Sequence, residues 1–536
     1  MSLKSLLLPT IAFMVFNPKL VVGGEPQQGQ GGSSESSVAR VVPLPPALAP
    51  SSLPAAPGLS ALGTENLLVQ EVSPLLAEGK MGEAAEKVAQ AVEKGSADGR
   101  FLAGWLASTG KGTSDGKPDF VLAEKDYRAG KEMGHEACSL NLAILLFESR
   151  DPAKMKEAAE ILRKLVETDP KEAGFWLGQA WMAGVDSEPD FSSAMELWSH
   201  AAEAGNGDAY LHEGLAWAGQ YGFPARTDLH KAAAVWKAGA EAGNAACALR
   251  LGHLLLIDAH AAGMSENDAA RWIQQASAGL EVEGTYLLAE LKRTGGGGIE
   301  ARDQEAAAGL YQLAAEAGYV PAMLRLAQML EEGDGVPKDE AGAVSALQAA
   351  ASRRNPEAYR KLGVIHRDGS HGQKVDEALA GKAFLTGAIL GDAMCGRELG
   401  KAYRKGQLGF LPDPAAARVW LEQSTRAGDA QAATEWAEMM MYGEVPGAQI
   451  EAIRSLLVQG TQGKVARAGL LFGMLLEDGR MLQRNPVTAL AWYRWAEAAG
   501  DPDAHARAEK LQSSMNKDDV EAAVKLSAEL KEPSSG

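Results

Sequence analysis

Cysteine is scarce. Three residues in 536 are too few for a disulfide framework. A cationic excess is missing as well. Lys and Arg number 52 against 70 Asp and Glu, for a formal net charge of −18. That balance argues against nucleic acid or an anionic membrane surface as the main partner. The apolar stretch 5–16, SLLLPTIAFMVF, is too short for a comfortable bilayer span, and Asn17, Pro18 and Lys19 interrupt it. No region has a strong strand pattern. No nucleophile elbow or zincin motif occurs. The glycine run Gly295–Gly298 has no strand before it and no Lys-Ser/Thr after it. It reads as a flexible inter-helix loop rather than a phosphate cradle. His366 and His371 flank Asp368, and His253 and His260 flank Asp258, but neither group makes a tight ligand set. Catalytic, cofactor and metal residues are all expected to be none.

What the chain does have is a repeat. Eleven small residues recur at intervals of 35 to 39: Gly99, Cys138, Ala173, Ala209, Cys247, Gly284, Ala322, Ala358, Cys395, Ala432 and Ala468. The period is that of a helical solenoid, in which each unit packs only on its neighbours. All three cysteines occupy this anchor position, where a thiol serves as a small hydrophobe. Four residues on comes a mostly apolar position, as in Leu142, Leu177, Leu326, Leu362 and Leu399. It is followed in every repeat by Gly or Ala, among them Gly178, Gly214, Gly363 and Gly400. Gly inside a helix costs about 1 kcal/mol, so its recurrence predicts close packing of a neighbouring helix. A second helix follows in each repeat, as in Ala194, Leu197, Trp198, Ala201 and Ala202. Its stripe of bulky and paired small residues marks a packed face.

These residues resemble the Sel-one-like repeat (SLR) family, a relative of the tetratricopeptide repeats, with the pattern A-x-x-x-L-G-x-x-Y-x-x-G-x-G-V-x-x-D-x-x-K-A-x-x-W-Y-x-x-A-A-x-x-G. One match runs Ala322, Leu326, Ala327, Gly333, Gly335, Val336, Asp339, Ala343, Leu347 and Ala350. Another runs Cys395, Leu399, Gly400, Tyr403, Gly406, Gly409, Asp413, Ala417 and Trp420. Departures include Asp151-Pro152 in place of a Gly-rich loop and Glu213 at a usual Leu position. The resemblance implies an all-α fold: a right-handed α/α superhelical solenoid of about eleven helix-pair repeats with helical caps.

The expected organisation is a signal peptide at 1–24, a Pro/Ser/Gly-rich linker at 25–63, and an N-terminal helical cap at 64–96, in which Pro74 and Gly79–Gly82 separate two helices. The repeat array covers 97–501, and C-terminal capping helices cover 502–532, with Val520, Ala523, Val524, Leu526 and Leu530 as their face. An exported, periplasmic or secreted protein is expected. Its function is expected to be non-catalytic, a scaffold binding a protein partner on the concave face. The alternatives are a recruiter of cell-envelope machinery, for peptidoglycan or secretion, and, further off, an envelope hydrolase. In arrays of this kind first helices line the concave face. The residue before the apolar position is expected to point there: Asn141, Trp176, His212, Arg250, Arg325, Lys361, Glu398 and Glu435. Trp105 and Trp176 are expected beside the core stripe as exposed aromatic anchors, whereas eight other tryptophans, including Trp181 and Trp217, are read as core.

Overall fold

The computed structural model describes residues 66–530, apart from 114, 186–187, 224–225, 446–448 and 480. The expected signal peptide at 1–24 and the linker at 25–63 lie outside the described residues. Among those residues the fold is all-α, with one isolated bridge, Gly296–Ile299, and no strand. The chain divides into two compact units, 1–303 and 304–536.

The first unit opens with α1 (Leu67–Ala77) and α2 (Met81–Glu93). Helix pairs follow: α3 (Ala97–Thr109) with α4 (Phe120–Glu132), then α5 (Glu136–Glu148) with α6 (Pro152–Leu165). Next come α7 (Glu172–Ala183) with α8 (Phe191–Glu203), and α9 (Gly207–Trp217) with α10 (Leu229–Glu241). The last are α11 (Ala245–Ala262) with α12 (Ala269–Ala278), and then α13 (Val282–Thr294). Pro74 sits inside α1 rather than ending it; the chain turns at Gly79, whose φ is 75°. Helix α11 is long and apolar enough to cross a membrane, but Leu249, Leu251, Leu255 and Leu256 are buried in the core of the unit.

The second unit begins with α14 (Gln304–Glu316). Its pairs are α15 (Val320–Glu332) with α16 (Glu340–Ser352), and α17 (Pro356–Asp368) with α18 (Glu377–Ile389). They continue with α19 (Ala393–Lys405) and α20 (Pro414–Arg426), α21 (Ala430–Met441) and α22 (Ile450–Gln462), and α23 (Ala466–Asp478) and α24 (Pro486–Ala498). Two helices, α25 (Ala504–Gln512) and α26 (Lys517–Glu529), pack on α24 and close the array. On the closing face Ala523 is buried, whereas Val524 is exposed.

Helix capping sets the phase of the small anchors. Ser96, His135, Asn206, Asn244, Asn355, Asp392 and Asp429 each accept the backbone N–H of the anchor three residues later. The anchor is therefore the third residue of its helix, fixed by a cap worth about 1 kcal/mol. The glycine and cysteine anchors pack on the preceding second helix, against the residue eight positions earlier. Each cysteine meets a glycine there: a Cβ on Gly130, Gly239 or Gly387 would fall within 2.6 Å of Cys138, Cys247 or Cys395 Sγ. Gly284 and Gly99 instead face the Ala276 and Ala91 side chains. Where one partner grows, the other shrinks, because a close-packed interface has room for one set of atoms.

The recurrent Gly inside the first helix has the expected reason. A Cβ on Gly178 would lie 2.5 Å from Trp198 Nε1, and one on Gly363 would lie 2.7 Å from the Phe384 ring. Both rings belong to the second helix of the same repeat. The four-glycine run is not a free loop. The Gly297 carbonyl accepts the Ala270 N–H at the start of α12, and a Cβ on Gly298 would collide with the Asn267 carbonyl.

Candidate interaction surface

In each unit, first helices touch the first helices of neighbouring repeats, as α5 does α7 and α19 does α21. The first helices thus lie on the inner side of the stack, as in solenoids with a concave face. The row three residues after each anchor lies on these helices, but the two units use it differently.

In the first unit the row closes into the core, which corrects the expectation for three residues. Asn141 is 1% exposed; its amide donates to the Ala137 carbonyl, and its Oδ1 has no partner. Trp176 is 1% exposed and makes edge contacts with Phe147 at 5.9 Å and Phe175 at 5.5 Å. His212 is fully buried and hydrogen-bonds Gln179 and Tyr221. Burial pushes its pKa down to about 3, so the ring stays neutral. Aromatic neighbours cover the two rings: Phe147 and Phe175 pack on Trp176, and Phe175 and Trp198 on His212. Arg250 remains half-buried. Trp105 is only partly buried, with the Lys111 ammonium 4.9 Å from its ring centroid. Trp181 and Trp217, read as core, are also only partly buried, beneath Arg163 and Lys231.

In the second unit the same row is charged and half-buried. Arg325 donates to Gln328 Oε1 at 2.7 Å. Lys361 makes no ion pair among the described residues. Glu398 accepts from Arg367 at 3.2 Å and lies 3.4 Å from Lys401. Glu435 accepts from Arg404 at 3.1 Å. Arg404 also bonds Glu438 and Glu444, and Arg467 ties Glu438 to Asp503. Burial works against the Glu438 charge, but bonds to Arg404 and Arg467 outweigh it and hold its pKa below the usual value. Between repeats, Arg360 bonds Asp392, and Arg397 bonds Asp429. Each of these aspartates also caps the next first helix, so one carboxylate serves two repeats. Neither these Asp residues nor their arginine partners, a repeat away, were singled out in the sequence, although an Asp just ahead of a helical pattern is a cap signal.

The Sel1 repeat family matches residues 171–206, 282–319, 320–355, 356–382, 397–429 and 467–501. The chitin synthase regulator SKT5 of Saccharomyces cerevisiae is 30% identical over 232 residues, covering 41% of this chain and 33% of that protein. Chitin synthase regulatory factor 3 of Schizosaccharomyces pombe is 25% identical over 272 residues, 42% of this chain and 29% of that protein. The chain thus spans about a third of the length of these relatives. In fold it is similar to a protective antigen of uropathogenic Escherichia coli strains displaying an SLR fold. The TM-score is 0.57 at 20% identity, over 83% of this chain and 94% of that one. Six segments match the Sel1 repeat by sequence and the paired helices keep phase with the anchors, so the chain contains Sel1 repeats.

Proposed function

We propose that the chain is a non-catalytic scaffold that binds a protein partner on the first-helix face of its second unit. The observation that carries this reading is the half-buried charged row Arg325, Lys361, Glu398 and Glu435, in which Arg367 and Arg404 hold the two glutamates across repeats and Lys361 makes no ion pair among the described residues. Fixed charges on a rigid surface select partners by complementarity. Arg250 and Trp105, half-exposed in the first unit, extend the candidate contacts. A photo-crosslinker at position 361 should capture a partner from the native host that one at Val419, on the outer side of α20, does not. Equal capture at both positions would refute the assignment.

A second reading is favoured by the two relatives named as chitin synthase regulators. In it, the partner belongs to a polysaccharide-synthesising machinery of the cell envelope, and the chain recruits or regulates it. Export through residues 1–24, to the periplasm or outside the cell, is part of the proposal. N-terminal sequencing of the native protein tests it: a chain starting near Glu25 supports export, and a full-length intracellular chain refutes it.

A further inference from the structure

We propose that His135 is an acid-released cap on α5. Seven first helices are capped by the side chain three residues before the anchor, and His135 is the one histidine among Ser, Asn and Asp. Histidine is the side chain whose charge ordinarily changes between pH 5 and 8. The geometry fixes its tautomer. Nδ1 accepts the Cys138 N–H at 3.1 Å, so Nδ1 carries no proton and Nε2 does. Nε2 faces Asp98 Oδ1 at 3.1 Å. The other Asp98 oxygen accepts from Asn66, the cap of α1, at 2.9 Å. Phe101 stacks on the imidazole, with ring centroids 5.7 Å apart.

Protonation changes the two nitrogens unequally. Nδ1 turns from acceptor to donor and meets another donor, the Cys138 N–H. The new charge also sits at the positive end of a helix dipole. The Nε2–H bond to Asp98 survives and is strengthened by charge. Acid therefore releases the first turn of α5 while the ring stays docked on α3. The charged and titratable groups around the ring are Asp98 and Arg100 on α3, Asp126 on α4 (bonded by Arg100 at 2.6 Å), and Glu136 and Cys138 on α5. Lys131 and Glu132, at the end of α4, are exposed. Burial, followed by Asp98 and Asp126, pushes the Cys138 thiol up to about 12, so both carboxylates bear on this junction. The turn that is released holds Cys138 against Gly130, the contact that joins the first repeat to the second.

Hydrogen exchange of the full-length protein at pH 7.5 and 5.0, corrected for intrinsic rates, tests the proposal. Amides in the first turn of α5 should lose protection roughly five-fold at pH 5.0, the size of one lost cap. The first turn of α17, capped by Asn355 in the second unit, should change less than about two-fold by the same measure. In His135→Asn, which installs the residue that caps α9, α11 and α17, the pH dependence at α5 should disappear. Equal protection of α5 in the wild type at both pH values overturns the proposal, and so does a loss that persists in His135→Asn. The wild-type comparison decides even where the variant fails to fold.

Discussion

At the scale of single residues, the contacts separate groups that hold the array together from groups that remain free to bind. Gly387 and Cys395 make the clearest pair. Adding a Cβ at 387 brings it 2.6 Å from Sγ and 3.3 Å from Tyr359 Cβ. Gly387→Ala should cost roughly 1–3 kcal/mol through overpacking. Cys395→Ala should restore part of that loss, with a coupling of at least about 0.5 kcal/mol. Denaturant titration of the four proteins measures it; strict additivity would show that the two residues do not share space. Trp176 belongs with the structural group. Trp176→Ala should cost roughly 3–5 kcal/mol, whereas Lys361→Ala should change stability by less than about 0.5 kcal/mol. If Lys361→Ala instead unfolds the protein at a distinctly lower denaturant concentration, the amine has a structural partner after all.

At the scale of helices, the recurring contact is a second-helix ring seated on a first-helix glycine. Gly363→Leu forces a branched chain into the space of Phe384 and should lower stability by roughly 1–3 kcal/mol. Thermal unfolding of the variant checks this, and an unchanged midpoint would mean that the two helices can slide apart freely. This layer of the structure was legible in the sequence. The anchors and the Gly or Ala that follows the apolar position are local patterns with fixed spacing, and local patterns survive in one dimension. Which inner-face residues would be covered was not legible. Asn141, Trp176 and His212 share a repeat position with Lys361 and Glu398, so phase alone treats them alike. Their burial depends on what fills the same side of the neighbouring repeats. Phe147 and Phe175 close around Trp176, whereas Arg367, Lys401 and Arg404 pair with the carboxylates of the later row. Pro74 misled in the same way, because a proline can sit inside a short helix that the sequence pattern would end.

At the scale of the whole molecule, the two units should respond differently to acid. His212 and His253 are buried in the first unit. Burial holds His212 near 3 and, with Arg250, holds His253 near 4. In the unfolded chain both take up a proton below about 6.5. Both folded values are depressed, so the stability they support is present above about 6.5 and falls with pH. At pH 5 the loss is about 2 kcal/mol per group. Glu213 works in the opposite direction. Burial raises it to about 7, so its contribution is full below about 4.5 and fades as pH rises through 7. Comparing the wild type with His212→Gln cancels that background. Between pH 7 and 5 the variant should lose about 2 kcal/mol less than the wild type. Parallel pH profiles would show that His212 does not govern acid lability. The matched pairing of each glycine or cysteine anchor with the residue eight positions before it also decides where such a chain can be cut and spliced. A module excised from anchor to anchor would separate Cys395 from Gly387 and set it against a stranger's alanine. A module that starts ahead of a second helix and ends after the next first helix carries both halves of the fit. Recombination or engineered exchange of repeats should therefore succeed in that frame, one helix out of step with the helix pairs by which the array is usually counted.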